Sequence, residues 1–150
     1  MNKELFFMER ALAQAHKAYE EDEVPVGAVL IIDNEIIAEG HNQPINNSDP
    51  TSHAEINVIR QAAELLDNYR LENSSIYVTL EPCLMCCGAM IHARIENLIF
   101  STTDPKSGAV VSNLKALDFN FTNHKINYSQ GLLSEESSKL LKQFFANKRL

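Results

Sequence analysis

His53 and Glu55 in the string "HAE", and Cys83, Cys86 and Cys87 in "PCLMCC", form two short clusters of side chains able to ligate metals, move protons or exchange thiols. The chain has no other cysteine. Zinc accepts imidazole nitrogen and thiolate sulfur, and the C-x2-C spacing of Cys83 and Cys86 suits two ligands on one helical turn. A structural zinc closes its shell with four protein ligands, whereas a catalytic one uses three and keeps a place for water. His53, Cys83 and Cys86 make three, which favours an open site over a structural knot. A C-x2-C pair can also be a redox couple, but that context places it after a first strand, without a partnered His-x-Glu. Spacing alone leaves Cys87 open as an alternative or fourth ligand, because it follows Cys83 by one helical turn. Cys86 and Cys87, about 100° apart on a helix, are poorly placed to bind together. The plainer reading of Cys87 is a small buried apolar side chain.

An open zinc brings its water close to ionisation at neutral pH. A carboxylate two residues from the histidine can then accept that proton and return it to the reacting group. Metal-assisted hydrolysis is the chemistry these residue types suit.

The clusters need elements to position them. "LFFMERALAQAHKAYEE" (5–21) spaces Leu5, Met8, Leu12 and Ala15 as an amphipathic helix. "VGAVLII" and "EIIAEG", split by Asp33-Asn34, read as a hairpin with those two residues at its turn. A polar loop over 41–52 leads into a helix "HAEINVIRQAAELL", and "SSIYVTL" (74–80) is a strand. Pro82 sits where the first turn of a helix "CLMCCGAMIHARI" tolerates proline. A strand "NLIFST" (97–102), a loop "TDPKSGAV", a short strand near 126–128 and a last helix complete the chain. Ser134, Glu135 and Glu136 at the start of that helix, and Lys148 and Arg149 at its end, suit capping and the helix dipole.

Strand-helix alternation from Ile76 onward predicts parallel pairing there. The expected fold is a single α/β domain over 1–150, a three-layer α/β/α sandwich around a five-stranded mixed sheet. Both clusters fall in the first turns of their helices. Facing helix starts can aim His53, Cys83 and Cys86 at one point, with Glu55 beside it.

Composition is that of an ordinary globular domain, 45% apolar and 22% charged over 150 residues. The longest nearly apolar run, 24–32, is too short to span a bilayer, and the amino terminus mixes charge with apolar residues. No membrane and a cytoplasmic location are expected. A net charge of −7 provides no global attraction for nucleic acid, so any such partner depends on a local basic patch.

H-x-E followed by P-C-x-x-C resembles the signature of the zinc-dependent nucleoside and nucleobase deaminases, and the handful of motifs around it extends the likeness. Through "EVPVGAVL", "EGHNQPI", "DPTSHAEI", "YVTLEPCLMC", "GAMIHARI" and "DPKSGA" the chain is similar to the tRNA adenosine deaminase branch almost end to end. That resemblance implies a cytidine deaminase-like fold with one zinc per subunit on His53, Cys83 and Cys86, and Glu55 as proton shuttle. It implies conversion of adenosine to inosine at the wobble position of a tRNA anticodon stem-loop. By the same resemblance Asn42 hydrogen-bonds the inserted base, Asp104 and Lys106 contact neighbouring nucleotides, and the enzyme is a homodimer. Cys87 stands where the branch has a small residue such as alanine.

Lys106, Lys142, Lys148 and Arg149 are candidates for phosphate contacts. The last three, near a helix end, are more simply dipole partners. His16, His41, His92 and His124 lack a surrounding cysteine or carboxylate pattern and are expected at the surface or in packing, with His41 notable beside Asn42. Two other functions fit the same residues. One is deamination of a free base or nucleoside, guanine or cytidine, which suits the acidic charge. The other is a non-catalytic zinc scaffold or RNA-binding module, which would not need Glu55.

Overall fold

The computed structural model describes residues 2–148. Helix α1 (Lys3–Glu20) is capped by Asn2, whose Oδ1 accepts from Leu5 N at 3.2 Å. Strands β1 (Gly27–Ile32) and β2 (Glu35–His41) form an antiparallel hairpin. Asp33 and Asn34 at its turn both have positive φ, 53° and 63°, the left-handed pair that matches strand twist. Then follow α2 (Ala54–Leu66), β3 (Ser74–Leu80), α3 (Leu84–Ala93), β4 (Asn97–Thr102), β5 (Asn127–Gln130) and α4 (Ser134–Lys148).

The sheet runs β2-β1-β3-β4-β5. β1 is antiparallel to both neighbours, and β3-β4-β5 are parallel. This is the expected five-stranded mixed sheet. One face, with Leu30, Ile76, Val78, Leu98 and Phe100, packs with Val58 and Ala62 of α2 and Met90 of α3. The other, with Val29, Ile31, Tyr77 and Ile99, packs on Phe7, Met8 and Ala11 of α1. Helix α4 joins α1 on that side through Phe144 against Tyr19, so helices cover both faces. Among the described residues no helix is long and apolar enough to cross a membrane.

Several details differ from the sequence expectation. The inward stripe of α1 is Phe7, Met8, Ala11, Ala15 and Ala18, whereas Leu5 is exposed and Leu12 half-buried. The cause is a close approach. A Cβ at Gly27 would overlap the Ala11 carbonyl and the Ala15 nitrogen, so alanines rather than leucines fit against β1. The crossover from β4 to β5 is irregular, with one 3-10 turn at Ala116–Asp118, so the loop expected after β4 continues to β5 and the strand-helix alternation stops there. Pro82 precedes the cap of α3 instead of lying in its first turn, and Ser134 is already helical instead of capping α4. Arg149 lies outside the described residues.

Candidate active site

His53 and Cys83 are the N-cap residues of α2 and α3, one position before the first turns where they were expected. N-caps are usually Ser, Thr, Asp or Asn, whose side chains satisfy a free N–H of the first turn. Neither His53 nor Cys83 makes such a bond. Both side chains instead turn toward each other. Asn42, the first residue after β2, takes over part of the capping, its Oδ1 accepting from Ala54 N at 2.8 Å.

His53 Nδ1 lies 3.6 Å from Cys83 Sγ and 3.5 Å from Cys86 Sγ. A tetrahedral metal with Zn–S of about 2.3 Å and Zn–N of about 2.0–2.1 Å sets its nitrogen and sulfur ligands about 3.5–3.6 Å apart. The three side chains therefore fit zinc. Among the described residues they are the one group of three or more potential ligands with atoms within 4.8 Å of one another. Cys87 is not among them. It is fully buried in the core between the helices and the sheet.

The protons around this group are shared unevenly. A hydrogen bond from Cys86 and another from His53 hold the Cys83 thiol at about 4, against the opposing effect of burial. The same bond to Cys83, then burial, push Cys86 upward. His53 is raised, first by its bond to Cys83. A thiolate beside a thiol and an imidazole is a donor set that a divalent cation can complete, displacing protons as it binds.

Glu55, in the first turn of α2, is only 4% exposed. Burial, with a smaller push from the Cys83 thiolate, raises its carboxyl to about 7. It shares a cavity of about 250 Å³ with His53, Cys83 and Asn42, walled by Val24, Val26 and Leu80. Asp104 also lines this cavity, but its Oδ1 accepts from Lys106 N and Ser107 N, so part of its role is to shape its own turn. Lys106 does not reach the cavity. It lines an adjoining groove of about 790 Å³ with Lys142 and Lys148. Lys148, at the end of α4, is paired with Asp22 at 2.5 Å. His16 and His92 are exposed, and His124 bonds the Ile95 carbonyl. His41 is buried between Gln14 Oε1 and Glu21 Oε1, at 3.0 and 2.9 Å, and so braces the strand end beside Asn42.

Two buried carboxylates went unremarked in the sequence. Glu23, 2% exposed, accepts from Ile45 N and Asn46 N and so ties down the loop after β2. Glu81, also 2% exposed, accepts from the backbone of the loop after β4. Burial opposes its ionisation, but hydrogen bonds led by that of Ser112 hold its pKa below the usual value. Their position beside site strings is the signal that could have found them: Glu81 ends an apolar strand directly before Pro82-Cys83.

The model of the family described as "MafB19-like deaminase" matches residues 1–149. A tRNA-specific adenosine deaminase of Haemophilus influenzae is 48% identical over 95% of this chain and 83% of its own length. One of Agrobacterium fabrum is 45% identical over 100% of this chain and 99% of its own. A solved structure from work on A-to-I editing by tRNA:A34 deaminases at the wobble position superposes with a TM-score of 0.89 at 45% identity. That match covers 91% of this chain and 99% of the other.

Proposed function

The chain belongs to the MafB19-like deaminase family and, within it, to the tRNA-specific adenosine deaminases, and on that premise we propose that residues 1–150 form one zinc-dependent domain in which His53, Cys83 and Cys86 hold the metal and Glu55 carries the proton. The enzyme deaminates adenosine to inosine at the wobble position of tRNA, releasing ammonia. The observation that carries the residue assignment is the three-ligand cluster, of which His53 and Cys83 line one small cavity together with the buried carboxyl of Glu55.

Zinc, when bound, supplies a water acidified to near neutrality. Burial raises the Glu55 carboxyl above its ordinary value in the metal-free chain, which suits it to accept and donate a proton in turn. It would take one proton from the attacking water and pass it to the purine ring nitrogen as the water oxygen bonds C6, then carry the proton of the new C6 hydroxyl to the amino group, so that the C–N bond breaks and ammonia leaves. Asn42 has committed its Oδ1 to Ala54, which leaves Nδ2 to donate to the base. Val24, Val26 and Leu80 cover the base and keep bulk water out. An anticodon base must be splayed from its stack to enter such a cavity. Lys106 and Lys142 face the adjoining groove without an ion pair among the described residues, a local patch suited to phosphates despite the net charge of −7.

The zinc-loaded enzyme is tested against an anticodon stem-loop with adenosine at the wobble position, guanine and cytidine. Inosine in the RNA with no ammonia from the free compounds is expected. Ammonia from guanine or cytidine with no inosine would overturn the assignment. The free-base alternative is not favoured, because relatives at 45–48% identity are tRNA-specific enzymes.

We also read the enzyme as a homodimer. Helix α3 is apolar almost all round, yet among the described residues its outer face leaves Leu84 57% and Met85 37% exposed. A helix of that composition is normally buried on all sides. Nothing lies within 4 Å of a Cβ placed on Gly88, so a second chain has room to approach. Met85→Asp is expected to halve the mass measured by sedimentation. A mass unchanged from wild type would remove α3 from the interface. Its tRNA substrate and three unpaired thiols suit a reducing cytoplasm.

A further inference from the structure

We propose that Glu81 is a positioning residue for the RNA substrate: its carboxylate holds the 104–112 loop in place as one wall of the active-site cavity. Oε1 accepts from Asp104 N at 2.9 Å. Oε2 accepts from Val110 N, Val111 N and Ser112 N at 3.0, 2.9 and 2.9 Å, and the Ser112 hydroxyl donates to Oε1. Backbone bonds from Glu81 N to Thr102 O and from Ala109 N to Pro82 O continue the seam on either side.

Three features separate this from ordinary core packing. A buried carboxylate is costly unless its oxygens are satisfied, and an apolar residue of equal size would be cheaper if the role were only to fill space. Glu81 has no Lys, Arg or His partner among the described salt bridges, and four of its donors are backbone N–H groups of one loop. Gly108 has no room for a side chain, since a Cβ there would overlap this carboxylate. The loop so held carries Asp104 and Ser107 into the cavity and Lys106 into the adjoining groove. With both oxygens occupied by the loop, Glu81 acts on the substrate through those residues.

The inference rests on the RNA substrate assigned above. Its test is steady-state kinetics on the anticodon stem-loop with Glu81→Gln and, separately, Gly108→Ala, each with its zinc content measured. Glutamine places an NH2 against backbone donors, and alanine pushes on the carboxylate from the loop side. Both variants are expected to raise KM about tenfold or more while kcat stays within about twofold and zinc stays bound. KM equal to wild type in either folded variant overturns the proposal, as does a fall in kcat that tracks loss of zinc. A wild-type enzyme that leaves the stem-loop unchanged refutes the substrate assignment instead, so the two failures are distinct.

Discussion

Glu55→Gln is expected to lower kcat by about a thousandfold or more while the protein keeps its zinc and its fold, because proton transfer of this kind contributes roughly 10²–10⁴-fold to rate. Glutamine preserves the shape of the side chain and removes only its capacity to carry a proton. A non-catalytic zinc scaffold predicts no such loss, and full activity in this variant would refute the shuttle. A second readout follows from burial. In the chelated protein the Glu55 carboxyl is raised from 4.5 to about 7. A group raised on folding contributes stability that is fully present below its unfolded value and is lost as pH climbs through its folded value. Wild type should therefore lose ground to Glu55→Gln between about pH 5 and 8, by on the order of 3 kcal/mol. Parallel denaturation curves for the two proteins across that range would show the carboxyl to be an ordinary solvated acid.

Cys86→Ala is expected to strip the enzyme of zinc and hence of activity, whereas Cys87→Ala keeps both. Apparent zinc binding in four-ligand sites is about 10–16 kcal/mol, so one ligand in four carries roughly 3 kcal/mol, or more than about a hundredfold in affinity. Cys87 makes no ligand contact and fills core volume, so its truncation costs about 1 kcal/mol of stability with metal unchanged. Metal content by mass spectrometry, read beside thermal denaturation, separates the two cysteines. Retention of zinc by Cys86→Ala with loss in Cys87→Ala would exchange their roles.

The adjacency of these two cysteines is where sequence reasoning ran short, and geometry supplies the missing constraint. Helical spacing permits either to join Cys83, but only Cys86 faces His53 across the gap between two helix starts. The strands were readable because runs such as "AVLII" and "IYV" suit a buried sheet, and β4 falls on the expected residues 97–102. The rotation of α1 was not readable. Its leucines looked like the core face until the bare backbone of Gly27 drew the alanines inward. The 103–126 crossover has no hydrophobic period, so nothing in it distinguished a helix from the irregular path observed. Glu23 and Glu81 were missed for a related reason. Their partners are backbone N–H groups far along the chain, so no partner side chain marks them and only their position beside the site strings could have pointed to them.

The vacated helix caps have a consequence for how the chain breathes. The ligands occupy the N-cap positions of α2 and α3 without capping them, so the first turn of α2 relies on the Asn42 bond to Ala54 N and that of α3 has no bond from its cap side chain. Local opening begins where backbone protection is thinnest. Once metal ties His53 to Cys83 and Cys86, the two helix ends can fray only together. Amide exchange at the starts of α2 and α3 thus becomes a clock for metal occupancy, fast and independent in the chelated chain, slow and synchronous in the loaded one.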